Sequence, residues 1–134
     1  MPKHTGDRNE CRSEAIALLH TVGVDKRYQQ QRPEELPFGV QRLLSIAVAY
    51  RGDAEALLLD EPAAGLSEPE MLDLLNVVQT LKQAGVAIVL VEHNMAMVRA
   101  CADRVLAMGA GHALAMGTPE QIWSNEEVQR AYLG

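Results

Sequence analysis

The sequence predicts an α/β fold, built on a mainly parallel sheet with flanking helices, and three observations support this prediction. The apolar runs at residues 57–59 and 86–91, and the mainly apolar segment 104–108, are short enough to be buried strands. Segments with helical spacing separate these runs, and parallel strands need crossover connections of that length. Capping residues mark the ends of several of the helices. The order of strand, helix, strand, helix and strand therefore indicates parallel pairing with right-handed crossovers.

Two helices are predicted before the sheet. In "SEAIALLHTVGV", the residues Ile16, Leu18 and Leu19 share a helical face that ends near Gly23. Residues 28–35, "YQQQRPEE", are polar and contain a proline, which indicates a loop. The segment "GVQRLLSIAVAY" then predicts a second helix, because apolar residues recur in it at helical intervals. These apolar residues include Leu43, Leu44, Ala47 and Val48.

The helix between the first two strands is the most clearly marked. Ser67 is its predicted N-cap, and Glu70 three residues later completes a capping box. Gly85 ends it. Its predicted apolar face consists of Met71, Leu74, Leu75, Val78 and Leu81. The strand that follows, at residues 86–91, shows no polar alternation, so we expect it to be covered on both faces.

The last part of the chain predicts a short helix at residues 95–102, the third strand, and then a hairpin. In "GAGHALAMG" the glycines at 109 and 111 indicate a tight turn that carries one more strand. Two capping boxes follow, Thr118 with Gln121 and Ser124 with Glu127. Each predicts the start of a short terminal helix.

Length, charge and cysteine content limit the possible functions. The 134 residues suffice for one domain of ordinary size. Eighteen acidic and twelve basic residues give a net charge of -6, which argues against a general nucleic-acid binder or a polybasic membrane-surface protein. Cys11 and Cys101 show no metal-ligand spacing. The aliphatic runs are too short to cross a bilayer and the N-terminus is too polar for a signal peptide. We expect a soluble chain in a reducing cytoplasm.

Three polar residues follow the first two predicted strands, at the sheet edge where α/β proteins bind ligands. Asp60 and Glu61 follow the first strand, and His93 follows the second. A carboxylate at such an edge suits Mg²⁺, a second can polarise a water molecule, and a histidine can hold a phosphoryl group or that water. Metal-assisted phosphoryl transfer is the predicted chemistry. The alternative is that the two acids only cap a turn and that the histidine has a loop position without a ligand.

Several short motifs carry a resemblance to a known family. "LLLDEP" resembles the Walker B segment of ATP-binding cassette (ABC) ATPases, "AAGLS" their D-loop and "VEHNM" their histidine switch, in the family's order and spacing. "LPFGVQRLLSIAVAY" occupies the place of the family signature, usually written LSGGQ or LSYGQ. The resemblance extends over residues 13–134 and implies a partial P-loop NTPase-like domain.

The resemblance also implies a role for each motif. Asp60 would hold Mg²⁺, Glu61 would be the general base for the attacking water, and His93 would sense the γ-phosphate of ATP. The D-loop that contacts the opposite subunit would be Gly65, Leu66 and Ser67. The signature that reaches ATP on the partner, through backbone N–H groups at a helix N-terminus, would be Leu36, Pro37, Phe38, Gly39 and Val40.

The signature departs from the family pattern. Pro37 stands in place of serine and lacks both the hydroxyl and the backbone donor. Val40 stands in place of glutamine, and Val48 in place of an arginine common later in the helix. A second interpretation of residues 36–40 is a helix start with no contact to a ligand.

The larger departure is that the sequence contains no Walker A motif. A phosphate-binding loop ends in Gly-Lys-Ser/Thr, whereas Lys3, Lys26 and Lys82 each follow a residue other than glycine. We therefore expect that the chain corresponds to the C-terminal part of an ABC ATPase, with the Walker A half absent. Residues 1–50 would be a remnant of the helical signature subdomain, 51–117 the core from Walker B to the histidine switch, and 118–134 a helical tail. Strands short of neighbours would favour self-association.

The tail narrows the subfamily. "GTPEQIWSNEEVQRAYLG" together with "DEPAAGLS" is similar to the ATPases of branched-chain amino acid importers, with urea and amide importers close to them and a lipopolysaccharide-export ATPase ending in a similar way. The resemblance implies an ATP-binding subunit that couples ATP hydrolysis to import of branched-chain amino acids or a related small solute. ATP and Mg²⁺ would be its cofactors. A second ABC ATPase subunit and transmembrane permease subunits would be its partners, and no nucleic acid would bind.

Such a subunit would lie in the cytoplasm, on the inner face of the membrane, and would associate with that membrane only through the permease. Without a phosphate-binding loop, we do not expect this chain to hydrolyse ATP alone. The alternative function is a non-catalytic, degenerate cassette that acts as an interaction module or is an inactive remnant.

Overall fold

The structure, a computed structural model, describes residues 7–133, and its elements follow the predicted order along the chain. The elements are α1 (Arg8–Thr21), α2 (Phe38–Tyr50), β1 (Ala56–Asp60), α3 (Glu68–Gln83), β2 (Ala87–Val91), α4 (Met95–Cys101), β3 (Val105–Gly109), β4 (His112–Gly117), α5 (Pro119–Trp123) and α6 (Glu126–Leu133). Two short 3₁₀ turns, Lys26–Tyr28 and Pro33–Glu35, lie at the start and the end of the predicted loop. The chain divides into two compact units, one up to Val91 and one from Glu92 onward. The division predicted at residues 50 and 117 stays a prediction.

Helices α1 and α2 lie where the sequence predicts them. Helix α1 ends before Gly23, which has a positive φ of 74° that glycine adopts without steric cost. Pro37 is the N-cap of α2, where its missing backbone donor costs no intrahelical bond. The predicted face of α2 is partly wrong, because Val48 is 65% exposed and Ile46 is buried in its place. Ile46 lies three residues after Leu43, on the same stripe of the helix.

Helix α3 carries the main hydrophobic core of the first unit. Its capping pair is confirmed, since the backbone N–H and the hydroxyl of Ser67 both donate to Oε2 of Glu70, at 2.8 and 2.6 Å. Gly85 ends the helix with φ 87°, and the N–H of Val86 donates to the carbonyl of Leu81 at 3.0 Å. The fully buried face differs slightly from the predicted one and consists of Leu74, Val77, Val78 and Leu81.

Strands β1 and β2 pair in parallel, as predicted, but only one face of this sheet is covered. Leu57 and Leu59 of β1 are buried, and their register partners on β2 are half-buried. On the opposite face Leu58 is 79% exposed, next to Val89 and Val91, which are also exposed. Side chains alternate between the faces of a strand, so helices on one side leave every second residue in solvent. The expectation that β2 is covered on both faces is therefore wrong for the described residues.

The second unit is built on a hairpin. Strand β3 pairs antiparallel with β4, through a turn in which Ala110 and Gly111 have φ of 48° and 81°. This confirms the predicted hairpin. The expectation that β3 joins the parallel sheet is wrong, because within residues 7–133 its hydrogen-bonded neighbour is β4. A small core forms on the hairpin from Ala107, Ile122 and Val128, with Val105, Leu114, Ala115 and Trp123 packed around it.

The two terminal helices have different caps. For α5 the predicted pair is confirmed, since Thr118 N–H donates to Oε1 of Gln121 and Gln121 N–H donates to Oγ1 of Thr118. For α6 the predicted box of Ser124 with Glu127 is wrong. Asn125 caps this helix instead, accepting from the N–H groups of Glu127 and Val128. Ser124 is already used by α5, because its hydroxyl donates to the carbonyl of Glu120 in the last turn.

Within the described part of the chain, we find no helix that combines the length and the apolar character needed to cross a membrane.

Replacing Leu81 by alanine should lower the free energy of unfolding by about 2–5 kcal/mol, because the side chain is fully buried and its removal leaves a cavity. Leu72→Ala on the same helix is the matched control, since Leu72 is 61% exposed. It should change the free energy by less than about 0.5 kcal/mol. Urea denaturation followed by circular dichroism measures both. Equal effects of the two substitutions would contradict the assigned core.

We expect the chain to self-associate through the exposed face and the edges of the β1–β2 sheet. Each strand of this two-stranded sheet has one edge without a strand partner among the described residues, and aliphatic side chains line the exposed face. Leu58→Lys should weaken association, whereas Leu72→Lys on α3 should not. Sedimentation velocity over a concentration series tests this, and a wild-type chain that stays monomeric throughout would show the expectation to be wrong.

Candidate functional site

Asp60 and Glu61 lie at the carboxyl end of β1, as the sequence predicts, and both are exposed. Asp60 is in register with Val91, the last residue of β2. The N–H of Glu61 donates to the carbonyl of Val91 at 2.8 Å, which extends the ladder one residue beyond β1. The backbone of the acidic pair is therefore held by the neighbouring strand.

Glu61 has a backbone conformation that few residues other than glycine adopt. Its φ is 44°, in the left-handed region, where a side chain costs about 1–2 kcal/mol. The chain turns sharply at this point, because the N–H of Ala64 donates back to the carbonyl of Glu61 at 3.1 Å. Strained residues of this kind cluster at functional sites. Glu61 is thus both the predicted general base and a strained position of the first unit.

The predicted D-loop connects the acidic pair to α3. Gly65 has φ 76°, the N–H of Leu66 donates to the carbonyl of Ala63, and Ser67 is the N-cap of α3. A Cβ atom on Gly65 would lie 3.3 Å from Cε1 of Phe38. Glycine at this position therefore satisfies the positive φ and also allows the close approach of the predicted signature.

The predicted signature, residues 36–40, forms the start of α2. Leu36 is buried, and its carbonyl accepts from Nε2 of Gln41 at 2.8 Å. Phe38 is about half exposed, and the Arg42 guanidinium lies 5.4 Å from its ring centre. Gly39 is buried and Val40 is half-buried. The structure thus places these residues beside the predicted D-loop, within the same unit.

Glu70 is the functional candidate that the sequence did not identify beyond its capping role. Its Oε1 accepts from the N–H of Gly39 at 2.9 Å, a contact between residues 31 positions apart. The Ser67 hydroxyl, the Ser67 N–H and the Gly39 N–H hold the pKa of the Glu70 carboxyl below its usual value. The capping pattern was visible in the sequence, but no local pattern indicates the bond to Gly39.

A cavity of about 320 Å³ lies beside this contact. Pro37, Gly39 and Val40 form part of its wall. Its charged lining residues are Asp25, Arg27, Glu70 and Asp73, and Arg27 is paired with Asp25 at 3.9 Å. The balance of charge is negative, so an anionic group that enters would meet repulsion unless a cation accompanies it.

His93 lies in the second unit, in the segment before α4. The next residue, Asn94, caps α4 by accepting from the N–H of Met97 at 3.1 Å. His93 is exposed and borders a cavity of about 240 Å³ whose lining, which includes Trp123 and Tyr132, is mainly apolar. The expected convergence of His93 with Asp60 and Glu61 on one ligand stays a prediction.

The donor chemistry of the acidic pair fits Mg²⁺. Among residues 7–133, the structure brings together no group of three or more His, Cys, Asp or Glu side chains that could hold a metal ion. Mg²⁺, however, commonly takes only one or two protein carboxylates and completes its shell with water and phosphate oxygens. The exposed carboxylate of Asp60 can supply that share.

Comparison with known proteins gives consistent matches. Residues 114–134 match the family model described as "Branched-chain amino acid ATP-binding cassette transporter". The high-affinity branched-chain amino acid transport ATP-binding protein LivG of Escherichia coli (strain K12) is 37% identical over 134 residues, which cover 99% of this chain and 52% of LivG. BraF of Pseudomonas aeruginosa, with the same description, is 42% identical over 100 residues, or 74% of this chain and 39% of BraF. The chain spans about half the length of LivG and a smaller share of BraF.

A solved structure shows the same fold. The ADP conformation of MJ1267, an ATP-binding cassette of an ABC transporter, superposes with a TM-score of 0.85 at 24% identity. The match covers 98% of this chain and 53% of that one. The predicted partial cassette fold is therefore confirmed over nearly all of the chain.

Replacing Glu61 by glycine and by alanine separates the backbone strain from the carboxylate, because both variants lack the carboxylate. Glu61→Gly should be more stable than Glu61→Ala by about 1 kcal/mol, since only alanine keeps a Cβ atom at φ 44°. Urea denaturation of the two variants measures the difference. An alanine variant more stable than the glycine variant would show that this turn stores no strain, because glycine loses more backbone entropy on folding than alanine does.

Proposed function

We propose that this chain, which belongs to the ATP-binding cassette (ABC) ATPase family, acts as part of the ATP-binding subunit of an importer. The importer would couple ATP hydrolysis to uptake of branched-chain amino acids or a related small solute. One observation carries this proposal: Asp60 ends β1, Glu61 follows it directly, and the Glu61 N–H ties the pair to the end of β2. The similarity to LivG and BraF, which are branched-chain amino acid transport ATP-binding proteins, supports the solute class.

The acidic pair has two distinct roles in this proposal. Asp60 supplies an oxygen ligand to Mg²⁺, and the ion, when bound, neutralises charge on the phosphate oxygens. Glu61 accepts a proton from the attacking water, and its held backbone limits where its carboxylate can reach. His93 orients the γ-phosphate or that water, as the resemblance implies. These roles need ATP whose phosphates are held by a loop that the 134 residues do not contain.

The signature and the D-loop act on the opposite subunit in this proposal. Backbone N–H groups at the start of α2 would approach the γ-phosphate of ATP bound there, as helix N-termini do with anions. Leu36, Pro37, Phe38, Gly39 and Val40 form that segment, and Gly65, Leu66 and Ser67 form the D-loop beside it. A second ABC ATPase subunit and transmembrane permease subunits are the proposed partners. The chain would sit on the cytoplasmic face of the membrane through the permease.

A second candidate function is a non-catalytic interaction module. Two observations favour it: Pro37 offers no backbone donor at the signature, and the N–H of Gly39 is already engaged by Glu70. Such a module would pair with an intact ATPase or permease subunit and would hydrolyse nothing itself. An assay that separates nucleotide binding from turnover distinguishes the two functions.

The assay combines this chain with a polypeptide that comprises the N-terminal half of an ABC ATPase and supplies the phosphate-binding loop. Binding of a fluorescent ATP analogue should then require Mg²⁺. Asp60→Asn should weaken the Mg²⁺-dependent binding roughly tenfold by removing a charged ligand. Glu61→Gln should leave binding intact but lower the hydrolysis rate about 10²–10⁴-fold, because the general base is lost.

Asp53→Asn is the matched control, since Asp53 is an exposed acid in the turn before β1. It should change neither binding nor turnover. Binding and hydrolysis that are unaffected by Asp60→Asn and Glu61→Gln would contradict the assigned roles. A mixture that assembles but binds no nucleotide would favour the interaction module.

A further inference from the structure

Glu70 connects two segments that the proposed function assigns to the partner's nucleotide. One carboxylate oxygen accepts from the N–H of Gly39 in the signature at 2.9 Å, and the other accepts from the N–H and hydroxyl of Ser67 at the end of the D-loop, at 2.8 and 2.6 Å. A single side chain in the first turn of α3 therefore bridges both segments. Charge-assisted hydrogen bonds of this kind are stronger than those between neutral groups.

The backbone of Gly39 is shaped to this contact. A Cβ atom added at Gly39 would lie 2.6 Å from both Cγ and Oε1 of Glu70, closer than real Cβ contacts. A Cβ atom at position 39 would therefore displace the Glu70 side chain from this contact. Gly65 and Phe38 make a second close approach between the same two segments. The signature and the D-loop are joined at two points within the first unit.

The carboxylate and an incoming phosphate would compete for the same donor. A backbone N–H has one hydrogen to donate, and at Gly39 it already points to Oε1 of Glu70. The cavity beside Gly39 offers room for a ligand group, but Asp25, Asp73 and Glu70 make its lining acidic. Two anions close together repel each other. A phosphate oxygen can thus reach this N–H only after the carboxylate leaves it or loses its charge.

We propose that Glu70 is a positioning residue that holds the signature to the D-loop and must release the Gly39 N–H before that N–H binds a phosphate oxygen. When Oε1 leaves Gly39, Oε2 keeps its bonds to Ser67, so α3 stays capped while the signature is freed. The step is an exchange of hydrogen bonds with no covalent change. The link between the segments is a property of this chain, whereas the competition with phosphate rests on the proposed function.

The link is tested first without nucleotide, by following the backbone amides of Gly39 and Ser67 in ¹⁵N NMR spectra as a function of pH. Both amide signals should shift with one common midpoint that lies below the ordinary glutamate pKa of 4.5. The sign follows from the lowered pKa: the link is complete above that ordinary value and is lost as the pH falls through the lowered one. The wild-type chain and Glu68→Gln, a control in the same helical turn, should behave alike.

Glu70→Gln should abolish the common titration, because its side chain carries no ionisable proton. Glu70→Ala should in addition speed hydrogen exchange at Gly39, since that amide loses its acceptor. A Gly39 signal that titrates identically in the wild type and Glu70→Gln would overturn the link. So would unchanged exchange at Gly39 in the alanine variant.

The competition is tested by adding the full chain to an intact ABC ATPase subunit, whose nucleotide site the signature would complete. Relative to wild type, Glu70→Gln should lower the KM for ATP roughly five- to tenfold with little change in kcat, because a neutral amide competes less well for the donor. Glu70→Ala should lower kcat as well, since the D-loop loses its tie to the signature. Glu68→Gln should match the wild type in both constants.

The two experiments separate the two ways in which the idea can fail. If the wild-type chain alters neither KM nor kcat of the intact subunit, the proposed function is wrong, and the amide titration still decides the link. If the wild-type chain is active and Glu70→Gln leaves KM unchanged, the competition with phosphate is wrong. A lower KM in Glu70→Gln, with loss of the common titration, supports the whole inference.

Discussion

The parallel pairing of β1 with β2 is the constraint on which the first unit depends. Two parallel neighbours cannot be joined by a tight turn, so the chain must cross over between them, and α3 is that crossover. The pairing aligns Asp60 with Val91 and gives the Glu61 N–H its acceptor. The backbone of the acidic pair is therefore held by a strand about thirty residues later in the chain. Among the described residues, β1 pairs with no other strand.

Helix α3 positions the candidate site through its buried face and its first turn. Its buried face, with Leu74 and Leu81 fully enclosed, anchors the crossover in the core. Its first turn fixes Ser67 and, through Glu70, reaches the start of α2. Because the D-loop runs from β1 directly into this helix, it is held at both ends. Packing energy and a local network of hydrogen bonds thus cooperate at one point, and the signature is positioned by a residue outside it.

The sheet faces and the strand pairing show where sequence patterns failed. The run at residues 86–91 has the continuous apolar character of a strand buried on both faces, yet Val89 and Val91 are exposed. A run of apolar residues indicates which side chains can be buried, but it does not indicate whether another element packs on each face of the strand. The hairpin turn at Ala110 and Gly111 pairs β3 with β4 as predicted, whereas among the described residues β3 does not also join the parallel sheet.

The sequence by itself determined the order and type of the elements, the end of α1 before Gly23, the cap of α3, and Asp60 and Glu61 at the end of a strand. Periodicity, caps and motif spacing are local properties, and they suffice to place these features along the chain. Only the tertiary structure decided that Glu61 adopts a left-handed backbone, that Asn125 rather than Ser124 caps α6, and that Glu70 holds Gly39. Each of these depends on which atoms the folded chain brings within hydrogen-bonding distance or leaves already engaged. The spacing of residues along the chain does not predict which of these spatial neighbours will form the hydrogen bond.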